Sequence, residues 1–97
     1  MSSIIAINPF EVPAGMEDQA LKLWDRLSAY FSKQPGYIGA KLHQSIDPGA
    51  KFHLVTVAEW ASAEDFMRAL SGEGLKTAAA GLEAFSHYPG LYQVVRT

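Results

Sequence analysis

The 97 residues of this chain include no cysteine. Disulfides, thiolate nucleophiles and thiolate-held metals or clusters are thereby excluded. The composition fits a reducing compartment. Charge is also sparse: 19% of residues are charged, the formal net charge is −2, and there is neither a run of like charges nor a basic stripe. Nucleic acid and anionic membrane surfaces need concentrated Lys and Arg, so neither is expected as a partner. No apolar run is long enough to cross a bilayer. The opening Met1-Ser2-Ser3-Ile4-Ile5-Ala6-Ile7 has neither the basic start nor the apolar length of a signal peptide. The expectation is a cytoplasmic protein.

Apolar material is plentiful by contrast. Hydrophobic residues make up 48% of the chain and aromatic residues 11%. A chain this short is read as one domain, residues 1–97, and a domain of this size buries roughly 60–65% of the surface its unfolded chain exposes. The apolar surplus points to self-association, since large apolar patches are uncommon on monomers.

The pattern along the chain gives the order β-α-β-β-α-β. Ile4 to Phe10 is an apolar run of high β propensity, closed by Pro9 and by the turn Val12-Pro13-Ala14-Gly15. From Glu17 to Lys33, Ala20, Leu21, Trp24, Leu27 and Phe31 recur at helical spacing, and Pro35-Gly36 stops the helix. Tyr37 to Ile46 and Lys51 to Trp60 form a hairpin around Asp47-Pro48-Gly49-Ala50. Ser62 with Asp65 three residues on starts a second helix through Phe66, Met67 and Leu70. Leu75 to about Ala80 adds a turn or two of helix, Gly81 to Gly90 reads as irregular, and Leu91 to Arg96 as the closing strand. This is the α+β, ferredoxin-like arrangement: a four-stranded antiparallel sheet with helices on one face.

A symmetric hairpin turn pairs Gln44 with His53. Ile38, Ala40, Leu42, Val55 and Val57 then share one face, and Tyr37, Lys41, His43, Phe52, Leu54, Thr56 and Trp60 share the other, toward the helices. Both faces carry apolar residues, so the bare face needs a cover. A second copy of the same sheet is the simplest one, which predicts a homodimer closed through its sheet faces into a barrel.

Several segments resemble the antibiotic biosynthesis monooxygenase (ABM) domains of the dimeric α+β barrel superfamily. They are Asn8-Pro9-Phe10-Glu11-Val12-Pro13-Ala14-Gly15, Gln34-Pro35-Gly36-Tyr37-Ile38, Leu42-His43 before Asp47-Pro48, and Val57-Ala58-Glu59-Trp60 with Phe66. The resemblance covers about residues 4 to 95. It implies a ferredoxin-like dimer with a ligand cavity between sheet and helices. Some members of the superfamily oxygenate aromatic polyketides without metal or flavin, and others open heme. The heme-degrading members carry an Asn at the end of the first strand and a Trp at the end of the third, which correspond to Asn8 and Trp60. Their ligating His, on a later helix, falls on Ala79 here, so the resemblance leaves heme without its usual ligand.

The candidate site residues follow. Asn8 is either a cap for backbone N–H groups or, in the role the resemblance implies, a hydrogen bond to an enolate or phenolate oxygen. Trp60 and Trp24 are either core or walls of a cavity for an aromatic molecule, with Tyr37 beside them. His43, placed toward the helices by the symmetric register, is the candidate general base. His43, His53 and His87 show no metal-ligand spacing, and no flavin or nicotinamide fingerprint occurs, so no metal or cofactor is expected. The function expected is a cofactor-independent monooxygenase oxidising a small electron-rich aromatic or quinol-like molecule with O2. The alternatives are a dimeric module that holds a small ligand without turning it over, and a heme-binding relative lacking the usual His.

Overall fold

The computed structural model describes residues 3–97. Strand β1 (Ile4–Glu11) is followed by helix α1 (Glu17–Phe31), strands β2 (Tyr37–Gln44) and β3 (Leu54–Trp60), and helices α2 (Ala63–Leu70) and α3 (Leu75–Ala78). A 3-10 turn, Leu82–Ala84, leads to two short strands, β4 (Ser86–His87) and β5 (Gly90–Tyr92). The sheet runs β2-β3-β1-β4, with β5 also paired to β1, and β1 pairs antiparallel with each of its three neighbours. The fold is α+β and ferredoxin-like.

The closing strand differs from expectation. It begins inside the stretch expected to be irregular and lies along β1 as two pieces, with Phe10 opposite His87 and Ile7 opposite Gly90. Both pieces share one register, so they are a single strand interrupted at Tyr88-Pro89. Tyr88 N–H donates to Pro9 O at 3.1 Å, but Pro9 has no N–H to return to Tyr88, and Pro89, opposite Asn8, has none either. Two prolines on facing strands thus open a gap in the ladder beside Asn8. The strand, expected to reach Arg96, ends at Tyr92, and residues 93–97 lie beyond it and are exposed.

The hairpin register also differs, by one residue. Asp47 to Ala50 does form a tight turn, with Ala50 N–H donating to Asp47 O at 3.1 Å and Gly49 N–H to Asp47 Oδ1 at 2.9 Å. The strands, however, close on Ser45 N–H to His53 O (2.9 Å), so the loop holds one more residue on the β3 side than a symmetric turn would. Leu42 therefore stands opposite Thr56 and His43 opposite Val55. Because side chains alternate in direction, that single step turns all of β2 over relative to β3. A bulge at Ile38 then restores the original register at the strand's start, where Tyr37 pairs with Trp60.

The consequence is a clear division of faces. Ala6, Asn8, Phe10, Ala40, Leu42, Leu54, Thr56 and Trp60 look toward the helices. Ile5, Lys41, His43, Val55, Val57 and Glu59 look away. Helix α1 lays Ala20 and Leu23 into the core with Phe10, Leu54 and Phe85; Leu21, expected on this stripe, is instead exposed. Helix α2 opens as the sequence indicates, Ser62 Oγ accepting from Asp65 N–H at 3.1 Å.

Candidate active site

Between the sheet and the helices lies a cavity of about 490 Å³, within the range that takes a small organic ligand. Its walls are overwhelmingly apolar. Polar groups enter from Asn8, Thr56 and His87 on the sheet, from Ser28 on α1 and from Tyr37. Asn8 and Thr56 are direct cross-strand partners, so their side chains are neighbours on the cavity floor.

Trp60 is 1% exposed and forms the centre of an aromatic cluster. Phe31, Tyr37 and Phe66 each meet it edge to face, at centroid distances of 5.8, 5.5 and 5.5 Å. A quadrupolar ring prefers this arrangement, and three such contacts hold the indole in one orientation. Trp60 is thus both core and cavity wall. Trp24, half-buried on α1, and Tyr37 line the same cavity.

Asn8 bridges the gap that the two prolines leave. Its Oδ1 accepts from Tyr88 N–H at 3.1 Å, while its Nδ2 lies 3.3 Å from His87 Nδ1. The His87 ring stacks on Phe10 with centroids 5.3 Å apart and planes 16° from parallel. One end of the Asn8 amide thus serves the backbone, as a cap does, and the other faces His87, a side chain that lines the cavity.

Of the four expected site residues besides Asn8, three share its cavity and one does not. His43 is exposed on the opposite face of the sheet, its Nδ1 3.3 Å from Val55 O, and does not line the cavity. The extra loop residue places it there. The one imidazole that does line the cavity is His87, from the stretch read as irregular. The signal that could have found it is the pair Pro9 and Pro89: an antiparallel register that sets them diagonally, Pro9 opposite Tyr88 and Pro89 opposite Asn8, places Phe10 against His87. Ala79, the position of the heme-ligating His in the resemblance, lines the cavity with a methyl group. Among the described residues no group of three or more His, Asp or Glu is arranged to hold a metal ion.

On the face of the sheet turned away from the helices, the Tyr88 hydroxyl donates to the Glu11 carboxylate. That hydrogen bond, and to a lesser extent partial desolvation and the carboxylate's charge, raise the Tyr88 phenol above its ordinary value near 10.

Residues 3–81 match the family model described as antibiotic biosynthesis monooxygenase. The chain belongs to that family. Among solved structures, a candidate monooxygenase from Shewanella loihica PV-4 is 41% identical over all of this chain and 99% of its own, with a TM-score of 0.84. SnoaB, a cofactor-independent oxygenase from Streptomyces nogalater, is 26% identical over all of this chain and 97% of its own, with a TM-score of 0.86. A dimeric protein of unknown function with a ferredoxin-like fold, from Bacteroides fragilis NCTC 9343, shares the fold at 12% identity and a TM-score of 0.72, over 97% and 98% of the two chains. No curated protein matches the sequence. In this ABM domain the apolar cavity opens partly to solvent and carries a few polar groups on its floor.

Proposed function

We propose that this ABM-family protein is a homodimeric, cofactor-independent monooxygenase acting on a small electron-rich aromatic or quinol-like molecule in the cavity between sheet and helices. The observation that carries the reading is the cavity's polarity: apolar walls of aromatic and aliphatic side chains around a floor where Asn8, Thr56 and His87 gather. Such a site takes a flat apolar ring and offers hydrogen bonds to an oxygen at one edge of it. The similarity to SnoaB, itself a cofactor-independent oxygenase, supports the same class of chemistry.

The electron balance fits a substrate that is its own reductant. Oxidising a ring-activated methylene to a carbonyl releases four electrons and two protons beyond the oxygen gained; O2 takes up those electrons, giving one carbonyl oxygen and one water. The anion of such a molecule is the better electron donor, and hydrogen bonds to its oxygen favour the anion. Trp24, Trp60 and Tyr37 shape the cavity around the ring.

The outer sheet face supports the dimer. Ile5, Val55 and Val57 look away from the helices along the two central strands, with Lys41 and Glu59 beside them. An apolar strip of this kind on a bare sheet face calls for a cover, and a second copy supplies one by two-fold symmetry.

The test is oxygen uptake by metal-stripped protein with a panel of anthrones and quinols, followed by mass analysis of products formed under isotopically labelled dioxygen. One labelled oxygen in the product without added cofactor establishes the activity. Tight binding of the same compounds with no oxygen uptake assigns a ligand-holding role instead. A Soret shift on hemin titration, with no phenol or anthrone bound, moves the site to heme.

A further inference from the structure

We propose that Asn8 sets the tautomer of His87, and that the Nε2–H of His87 is the donor offered to an anionic oxygen of the cavity's ligand. The proposal takes only the ligand class from the oxygenase reading above; the hydrogen-bond argument stands on the geometry.

The chain of constraints starts at the backbone. Tyr88 N–H can only donate, and it lies 3.1 Å from Asn8 Oδ1. That contact orients the carboxamide with its oxygen toward Tyr88, leaving the NH2 group toward His87. Asn8 Nδ2 lies 3.3 Å from His87 Nδ1. An amide nitrogen has no lone pair to offer, so the imidazole nitrogen facing it must accept, and the proton of the neutral ring belongs on Nε2. The stacking of the ring on Phe10 holds its plane. Among the described residues none accepts from Nε2, and the ring lines the cavity.

This arrangement changes which residue meets the ligand. Asn8 Oδ1 is committed to the chain and one of its N–H groups to His87, so Asn8 is a positioning residue. His87 supplies the directed N–H. A neutral imidazole held as an Nε2–H donor favours an occupant with a phenolate or enolate oxygen over its protonated form. The latter can also accept from the Nε2–H, but a hydrogen bond to the charged oxygen is the stronger of the two, so the donor favours the anion.

The experiment has two readouts that do not depend on turnover. The first is the two-bond proton–nitrogen NMR correlation of the imidazole in uniformly labelled protein, at a pH where the ring is neutral. The expected pattern is Nε2–H for the wild type and Nδ1–H for Asn8→Asp. Its carboxylate still accepts from Tyr88 N–H but would also accept from the ring. A wild-type ring with its proton on Nδ1, or an Asn8→Asp ring unchanged from wild type, overturns the assignment.

The second readout uses 4-nitrophenol, whose anion and acid differ in absorbance. The wild type is expected to raise the anion fraction of the bound probe. His87→Gln, which keeps an N–H donor of similar reach, should retain most of that effect. His87→Ala should weaken anion binding about tenfold, or about 1.4 kcal/mol. Equal anion affinity in wild type and His87→Ala, or no anion binding by the wild type, overturns the proposal.

The two readings fail separately. If tautomer and anion binding behave as expected but no anthrone or quinol consumes oxygen, the oxygenase reading falls and this one stands. Oxygen uptake that survives undiminished in His87→Ala overturns the role of His87 and leaves the oxygenase reading in place.

Discussion

Gly36 lies directly against Asp65. Its φ is +88°, and a β-carbon placed on it would meet the Asp65 side chain at impossibly short distances. The same glycine gives its carbonyl to Ala61 N–H at 2.7 Å, so the α1-to-β2 corner and the start of α2 are joined at one point. Gly36→Ala adds a left-handed strain of order 1–3 kcal/mol to a displacement of the α2 cap. The expected result is a loss of about 2–4 kcal/mol, measured as a lower urea midpoint with an unchanged slope.

Most of the fold was legible because its signals are local. Ser62 and Asp65 announce α2, and Pro35-Gly36 ends α1 near where the structure ends it. Two features were not legible because each depends on pairing across the chain. Whether Lys51 sits in the loop or in the strand is not encoded in the Asp47-Pro48-Gly49-Ala50 turn, which forms either way; yet that residue decides which way His43 faces. The strand through His87 hides behind Tyr88-Pro89, where its own pattern breaks, and becomes visible only beside β1. Trp24, Trp60 and Tyr37 all line the cavity, Tyr37 because the Ile38 bulge offsets the loop's extra residue.

The aromatic cluster makes Trp60 the most sensitive apolar position. With the indole 1% exposed and touched edge to face by three rings, Trp60→Ala is expected to cost about 3–5 kcal/mol. Trp60→Phe retains an aromatic partner and should cost about 1–2 kcal/mol. Chemical denaturation measures both. Binding of an apolar probe should survive Trp60→Phe if the variant's folded fraction is held constant.

The Tyr88–Glu11 hydrogen bond has a signed consequence at high pH. The folded-state phenol titrates above its unfolded value near 10. The contribution to stability is therefore fully present below pH 10 and is lost as pH rises through the higher folded value. Ultraviolet difference titration should show one tyrosine ionising later than an ordinary phenol. Glu11→Gln removes the carboxylate's charge and should bring that tyrosine back toward its ordinary value. An identical titration curve for Glu11→Gln and wild type would contradict the hydrogen bond as the cause.

The two faces of the sheet give the sharpest contrast in function. His43 and Asn8 lie on neighbouring layers of one small sheet, but His43 is exposed on the outer face and Asn8 lines the cavity. His43→Ala should therefore leave oxygen uptake and probe binding within about twofold of wild type, since an exposed surface substitution typically shifts energies by no more than about 0.5 kcal/mol. Asn8→Ala removes the partner of His87 and the second acceptor of Tyr88 N–H, which keeps Pro9 O. Its stability cost should stay near 1 kcal/mol, while turnover falls about 10–100-fold as the directed N–H is lost. Steady-state oxygen uptake measured beside urea unfolding separates the two effects. A His43→Ala variant that loses turnover at full stability would show that the outer face takes part in the chemistry, through a neighbouring subunit, and would move the proton acceptor there.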